Sequence, residues 1–148
     1  MPDYGAETHT HDRRGTGSRL AAWAPQALSL LRIVAALIFL LHGTQKLLGF
    51  PPFAEGTSAP EAFTLSWTAG TIELVTGALM LLGLFTRPAA FLASGTMAFA
   101  YFIAHAPREL YPVLNNGDAA ILYCFVFFYL IFAGPGPWSL DALLRRRS

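Results

Sequence analysis

Charged side chains and cysteines are both scarce in this chain of 148 residues. Asp, Glu, Lys and Arg make up 13% of it, about half the ~25% that is usual in soluble domains. Because hydrophobic residues reach 54%, the composition excludes a disordered chain, which needs low hydrophobicity and high charge. The single cysteine, Cys124, excludes a disulfide framework, a CxxC redox pair and a cysteine-ligated zinc site within one chain. The net charge of +1 gives no general attraction to nucleic acid.

Four apolar stretches are candidates for membrane-spanning helices, which need about 20 mostly apolar residues each. They lie at about Ala27–Leu48, Trp67–Phe85, Pro88–Ala106 and Ala119–Ala133. The fourth stretch is short by itself, and it spans only if its helix starts near Asn116 or Asp118. The stretches lack the polar face that a water-exposed helix needs. The sequence therefore predicts an all-α fold, an integral membrane four-helix bundle rather than a soluble one.

Basic residues are distributed unevenly over the connections between these spans. If the spans alternate in direction, one side holds Arg13, Arg14, Arg19, Arg87, Arg145, Arg146 and Arg147. The two loops on the other side hold only Arg108. The positive-inside rule then predicts that the N and C termini are both cytoplasmic.

The spans divide the chain into three parts. Residues 1–26 are polar, and they predict a disordered cytoplasmic tail. Residues 27–133 form the four-helix domain. In residues 134–148, a Gly-Pro-Gly-Pro sequence ends the fourth span, and Ser139-Leu140-Asp141 suits the start of a short amphipathic helix that ends in three arginines.

Polar and ionisable side chains interrupt the four spans at a similar depth. An ionisable residue at the centre of a span costs about 2.5–3.5 kcal/mol on insertion scales, so each one marks a candidate site. His42 and Glu73 each lie six residues, about 9 Å, below the outer end of their spans. The inner half holds only Arg32, which is expected to snorkel to the interface. The sequence predicts a polar pocket in the outer half of the bundle, formed by His42, Gln45, Lys46, Glu73, Tyr101, His105, Asn116 and Asp118.

Glu73 needs a partner from another helix. It shares a helix face with Gly70 and Gly77, two small residues that allow a second helix to approach closely. Lys46 and His42 are the candidate partners. A Lys46–Glu73 pair has two interpretations: it serves the chemistry of the site, or it is a structural ion pair that sets helix register.

Three chemistries suit such a pocket. A quinone headgroup needs hydrogen-bond donors and a proton route among aromatic walls, which His42, Glu73 and Tyr101, with the Phe-rich fourth span, can supply. Haem needs two histidines at one level on different helices, and the different depths of His42 and His105 count against it. Ion translocation needs polar groups in the inner half as well. Binding at one side of the membrane is therefore favoured over transport, and no metal site is predicted.

Four short motifs follow one another along the spans. They are Arg32 with His42-Gly43-x-x-Lys46-Leu47; Glu73-x-x-x-Gly77 with Gly83-Leu84-x-Thr86-Arg87-Pro88; Asn116-Gly117-Asp118-Ala119; and Gly134-Pro135-Gly136 with Ser139-x-Asp141. In this order and spacing, over about Leu28–Asp141, the chain resembles the DoxX family. The resemblance carries over the signature positions Arg32, His42, Gly43, Lys46, Glu73, Gly77, Arg87, Asn116 and Asp118.

The resemblance implies a small four-helix protein of a bacterial-type inner membrane. Related proteins serve quinone-coupled sulfur oxidation, as does the DoxD-type subunit of thiosulfate:quinone oxidoreductase, or membrane oxidoreductase assemblies that handle thiols and oxidative stress. Because this chain has one cysteine, a thiol redox role would use the cysteines of a partner.

The leading hypothesis is a membrane subunit of a redox system that binds a quinone-like ligand in the outer-half pocket. Glu73 and His42 would be the catalytic, proton-handling residues, and the ligand-binding residues would be Lys46, Gln45, Tyr101, His105, Asn116 and Asp118. The alternatives are a non-catalytic membrane anchor or assembly partner for a soluble oxidoreductase, and a small-solute transporter. Expected partners are the lipid bilayer, a soluble oxidoreductase or other membrane subunit, and further copies of the chain. Whether the chain is itself an enzyme stays open.

Overall fold

The computed structural model describes residues 14–146, with side chains from residue 19 onward. This part of the chain is helical and contains no strand. The helices, in chain order, are α1 (Arg14–Leu48), α2 (Leu65–Leu82), α3 (Thr86–Ala100), a π-helical segment (Tyr101–His105), α4 (Asp118–Ala133) and α5 (Leu140–Arg145).

Within these residues, two helices are long and apolar enough to cross a membrane, judged by length and composition: Arg19–Leu48 within α1, and α2. The third predicted span corresponds to α3, with 15 residues, extended by the five residues of the π-helical segment. The fourth corresponds to α4, an apolar helix of 16 residues. It begins at Asp118, one of the two starting points that the sequence suggested.

The first helix begins well before the predicted start of its span at Ala27. Because α1 starts at Arg14, the prediction of a disordered tail over residues 1–26 is corrected for residues 14–26, which are helical; residues 1–13 lie outside the described residues. Once a helix is nucleated by its apolar part, each further residue is added at little cost. The alanines of this stretch favour helix, although Pro25 also lies inside it.

The short connection between α2 and α3 is built from two left-handed residues. Gly83 has φ of 67° and donates its N–H to the last carbonyls of α2, as glycine does at many helix ends. Phe85, with φ of 47°, offers no side-chain cap for α3. The Asp141 carboxylate caps it instead, accepting hydrogen bonds from the N–H groups of Phe85 (2.9 Å) and Thr86 (3.0 Å). The C-terminal segment thereby holds the start of α3.

Arg32 does not snorkel to the interface: its side chain is fully buried. Its Nε donates to the carbonyl of Pro135 (2.8 Å), its Nη1 to the carbonyls of Met80 and Leu81, and its Nη2 to the carbonyl of Trp138. The last carbonyls of a helix lack partners within that helix, and the five N–H groups of a guanidinium can serve several at once. Arg32 therefore fastens α1 to the end of α2 and to the C-terminal segment; we call this arrangement the arginine clasp.

The α1 and α2 backbones are in contact at their glycines. A Cβ atom at Gly43 would lie 2.5 Å from the backbone nitrogen of Leu74, and one at Gly77 would lie 3.0 Å from the Cα of Leu40. The close helix approach predicted at Gly77 is thus confirmed. Small residues allow such contact between helices in membranes.

The core is apolar and aromatic, and so is the outer surface. Phe39 of α1 packs edge-on against Phe127 of α4, with ring centroids 4.7 Å apart, above a buried layer of small side chains on α3. Large hydrophobic side chains on every long helix point outward, among them Leu37, Val75, Phe91 and Leu122. An apolar surface of this extent suits contact with lipid rather than water.

Candidate functional site

A cavity of about 210 Å³ lies between the four long helices. Because several polar side chains line it, we call it the polar cavity. Phe39, Ala69, Met97, Ala100, Ala119 and Ala120 form its apolar walls. Its polar lining consists of His42, Lys46, Glu73, His105, Asn116 and Tyr123. Five of the eight predicted pocket residues are therefore brought together, and Gln45, Tyr101 and Asp118 are not among them.

Lys46 and Glu73 form an ion pair at the floor of this cavity. Lys46 Nζ lies 2.6 Å from Glu73 Oε1, which makes lysine the partner of Glu73, one of the two candidates that the sequence offered. The Glu73 side chain is 3% exposed and the Lys46 side chain 26%. Gly70 makes room for the lysine, since a Cβ atom there would lie 2.8 Å from the Cβ of Lys46.

The second carboxylate oxygen of Glu73 is not satisfied by protein. Oε2 is buried and accepts no hydrogen bond from any residue between 19 and 146. A buried polar group without a partner is costly, and each such group in a folded protein calls for an explanation. Because Glu73 lines the polar cavity, this oxygen is a candidate acceptor for a hydrogen bond from a ligand bound there.

His42 and Tyr123 face each other across the cavity mouth. Their rings meet edge-on with centroids 6.1 Å apart, and His42 is exposed on α1. No hydrogen bond joins His42 to Glu73 in the described part of the chain. Sequence reasoning missed Tyr123, which lies about one helical turn after the lining residues Ala119 and Ala120 and therefore on the same face of α4.

Asn115, which lies outside the predicted pocket, holds the loop before α4 in place. Asn115 is buried, and its backbone carbonyl lies 2.9 Å from His105 Nδ1. Its side chain donates to the carbonyl of Glu109 (2.8 Å) and accepts from the N–H of Gly117 (2.8 Å). Asn115 thus joins the π-helical segment to the start of α4 and orients His105.

The remaining predicted residues lie around this loop. Asn116 lines the cavity from an exposed position with φ of 56°, a backbone conformation that asparagine tolerates better than most residues. Asp118 is exposed at the first turn of α4, where a carboxylate favours the helix dipole. Its predicted place in the pocket is not observed, because its side chain lies on the outer face of α4.

Gln45 and Tyr101 pack outside the cavity. Gln45 Nε2 donates to the carbonyl of Pro52 (3.3 Å) in the loop after α1, because it lies about 100° around the helix from Lys46. Tyr101 packs against Gly117, where a Cβ atom would lie 2.8 Å from its ring. Both residues therefore contact the loops after α1 and before α4 rather than line the cavity.

Metal binding finds no support in the described residues, which contain no group of three or more His, Cys, Asp or Glu side chains able to hold an ion. Cys124 lies on α4 beside Ser94, whose Oγ is 3.6 Å from its sulfur. The Cys124 side chain packs against the buried apolar core, so it serves packing.

Helices with an apolar outer surface around a polar interior cavity define the chain as a helical membrane protein. Comparison with known families agrees: the DoxX family model matches residues 27–106. The chain belongs to the DoxX family, as its motifs indicated.

Three relatives are similar over most of their length. The chain is 42% identical over 127 residues to an uncharacterized protein of Haemophilus influenzae. This alignment covers 84% of the chain and 95% of the relative. It is 32% identical over 158 residues to an uncharacterized membrane protein of Mycobacterium tuberculosis. This alignment covers 90% of the chain and 94% of the relative. It is 29% identical over 125 residues to the inner membrane protein YphA of Escherichia coli. This alignment covers 79% of the chain and 89% of the relative. No solved structure matches the chain.

Proposed function

We propose that this chain is a membrane subunit of a redox system and that the polar cavity binds the headgroup of a quinone-like ligand. The observation that carries the proposal is the unsatisfied Oε2 of Glu73, a buried carboxylate oxygen beside a cavity with aromatic walls. A reduced quinone offers hydroxyl groups to such an acceptor.

The size of the cavity limits what it can hold. Its volume of about 210 Å³ is below the ~300–1,000 Å³ of pockets that enclose drug-sized ligands. It therefore suits a single ring rather than a whole amphiphile. Phe39 and Tyr123, whose rings are 5.4 Å apart, supply an aromatic wall for that ring.

The proposed roles follow from the positions of the side chains. Two electrons from a partner protein and two protons from the outer side of the membrane would reduce the quinone to the quinol. Glu73 would deliver these protons one after the other from Oε2 to the ring oxygens, while Lys46 holds the charge of the carboxylate at Oε1. His42, exposed on α1, would return a proton to Glu73 after each delivery.

The arrangement in the membrane is part of the proposal. Four spans, formed by α1, α2, α3 with its π-helical segment, and α4, would cross a bacterial-type inner membrane with both termini in the cytoplasm. The arginine bias of the sequence supports this orientation. The polar cavity would then lie in the outer half of the bilayer.

The variant Glu73→Gln tests the role of the carboxylate. It removes the charge at Oε2, and we expect the affinity for a short-chain quinol, the reduced form that carries donor hydroxyls, to fall about tenfold or more, as for the loss of a hydrogen bond to a charged group. The affinity is measured by calorimetry on the purified protein in detergent. The control is Glu61→Gln, which changes an exposed loop carboxylate. Equal affinity of Glu73→Gln and the parent protein would refute the assignment.

A non-catalytic anchor or assembly partner is the second candidate, because the Lys46–Glu73 pair also ties α1 to α2. In that case Glu73→Gln lowers the melting temperature, and mass spectrometry of an organic extract from the parent protein finds phospholipid but no quinone. A small-solute transporter would instead show uptake into reconstituted vesicles.

A further inference from the structure

Two more cavities extend from the polar cavity along the contact between α2 and α3. The nearer one, of about 410 Å³, shares Lys46, Ala69, Ala100 and His105 with the polar cavity. These four residues form what we call the neck. Alanines on both helices leave the neck open beside the two polar side chains.

The farther cavity, of about 310 Å³, continues toward the middle of the helices. It shares Leu65, Ala69, Thr96 and Phe99 with the nearer one. The polar cavity and these two cavities therefore adjoin one another, and Ala69 lines all three. We call the part beyond the neck, between α2 and α3, the tail groove.

The tail groove becomes apolar along its length. At the neck end, Arg108 and Ser66 still contribute polar atoms. In the farther cavity the polar side chains are Thr68 and Thr96, and their hydroxyls donate to helix carbonyls of Thr64 (3.0 Å) and Leu92 (2.8 Å). Their hydrogens are thereby used within the helices, so this part of the groove suits a hydrocarbon.

The floor of the groove is open at a glycine. A Cβ atom at Gly95 would meet nothing within 4 Å, while Phe91 and Phe99 stand exposed on either side of it. The eight-residue separation between Phe91 and Phe99 corresponds to about 12 Å of helix. A groove of this length covers part of a long chain, and its open side lets the remainder continue into the bilayer.

We propose that the tail groove holds the isoprenoid tail of the quinone whose headgroup lies in the polar cavity. The inference rests on the proposed function and adds to it a ligand class, a long-tailed quinone. The adjacency of the three cavities supports it: one end offers a buried carboxylate and cations, and the other offers apolar walls of two helices. A ligand with one polar ring and one apolar chain matches both ends.

Filling the groove tests the proposal. Gly95→Phe places a ring in the groove, and we expect it to lower the affinity for a quinone with several isoprenoid units about tenfold, through overpacking. The affinity for a quinone with the same ring and no tail should not change, because Gly95 does not line the polar cavity. Both affinities are measured by calorimetry in lipid nanodiscs, each ligand being compared with itself in parent and variant protein. Thr68→Phe repeats the test from the opposite wall.

The control is Leu122→Phe, which adds a ring to an exposed position of α4 away from the groove. Unchanged affinity of Gly95→Phe and Thr68→Phe for the long-tailed quinone would overturn the tail groove while leaving headgroup binding intact. If an organic extract shows phospholipid lost from the Gly95→Phe protein and the quinone affinities stay equal, the groove is a lipid site and the proposal is wrong. If neither quinone binds the parent protein, the proposed function itself fails.

Discussion

Two buried ionisable residues, Arg32 and Glu73, show how differently a membrane protein accommodates charge. The guanidinium of Arg32 donates to four backbone carbonyls. The carboxylate of Glu73 has one oxygen in an ion pair and the other without a partner among residues 19–146. A fully satisfied group serves the fold, whereas a half-satisfied one beside a cavity is a candidate for ligand binding. On this ground, Arg32 is structural and Glu73 is the candidate functional residue.

Replacing Arg32 by lysine should destabilise the protein although the positive charge remains. A lysine ammonium has three donors at one point and cannot span the carbonyls of α2 and of the C-terminal segment together. We expect Arg32→Lys to lose about 2–4 kcal/mol of stability and to melt at a lower temperature in detergent. The matched control is Arg19→Lys, an exposed position on the same helix. Equal melting of the two variants would contradict the arginine clasp.

At the scale of elements, the α1–α2 contact is what places the ion pair. Lys46 lies three residues after Gly43 on α1, and Glu73 directly precedes Leu74 on α2. The close backbone contact between Gly43 and Leu74 is therefore adjacent to the Lys46–Glu73 ion pair. Helices in lipid gain little from burying apolar surface, and they associate through close packing and polar contacts. The glycine contact therefore sets the distance across which Lys46 reaches Glu73.

The variant Gly43→Ala should separate these two helices. Its added Cβ would lie 2.5 Å from the backbone nitrogen of Leu74, so we expect a loss of about 1–3 kcal/mol from overpacking. Gly95→Ala is the matched control, because its Cβ meets nothing within 4 Å. Thermal melting of both variants provides the comparison. A Gly43→Ala protein as stable as Gly95→Ala would show that the α1–α2 contact is looser than described.

At the scale of the whole molecule, the C-terminal segment closes the end of the bundle opposite the polar cavity. Arg32 binds its carbonyls, Asp141 caps α3, and the N–H of Asp141 donates to the carbonyl of Gly83 (2.9 Å). Ser139 in turn caps α5. The molecule is therefore tied together at one end and holds its polar cavity near the other.

Because the C-terminal segment and the polar cavity lie at opposite ends of the molecule, the proposed orientation in the membrane can be tested. In a Cys124→Ser background, Ser58→Cys places a thiol in the loop after α1, and Arg146→Cys places one after α5; both positions are exposed. We expect a membrane-impermeant maleimide to label Ser58→Cys in intact spheroplasts and to label Arg146→Cys only after lysis. The opposite pattern would invert the topology, and labelling of both in intact spheroplasts would exclude an even number of spans.

Much of the site could be predicted because depth in a span follows from residue counting. The rise per residue placed His42 and Glu73 at one level, and the small residues beside Glu73 identified a close helix contact. Which way a side chain points around its helix also depends on packing between helices. For this reason Gln45 and Asp118 were assigned to the pocket and lie outside it, whereas Tyr123 lines it.

The sequence by itself determined that the chain is helical, where its apolar helices lie, and which polar residues share a depth, since these properties follow from local composition and periodicity. Only the tertiary structure decided which of these residues meet. The partners of Arg32 lie 48 to 106 residues away along the chain, and the role of Asn115 depends on a fold of the loop before α4. Such contacts are set by how helices pack in three dimensions, and no local pattern records them.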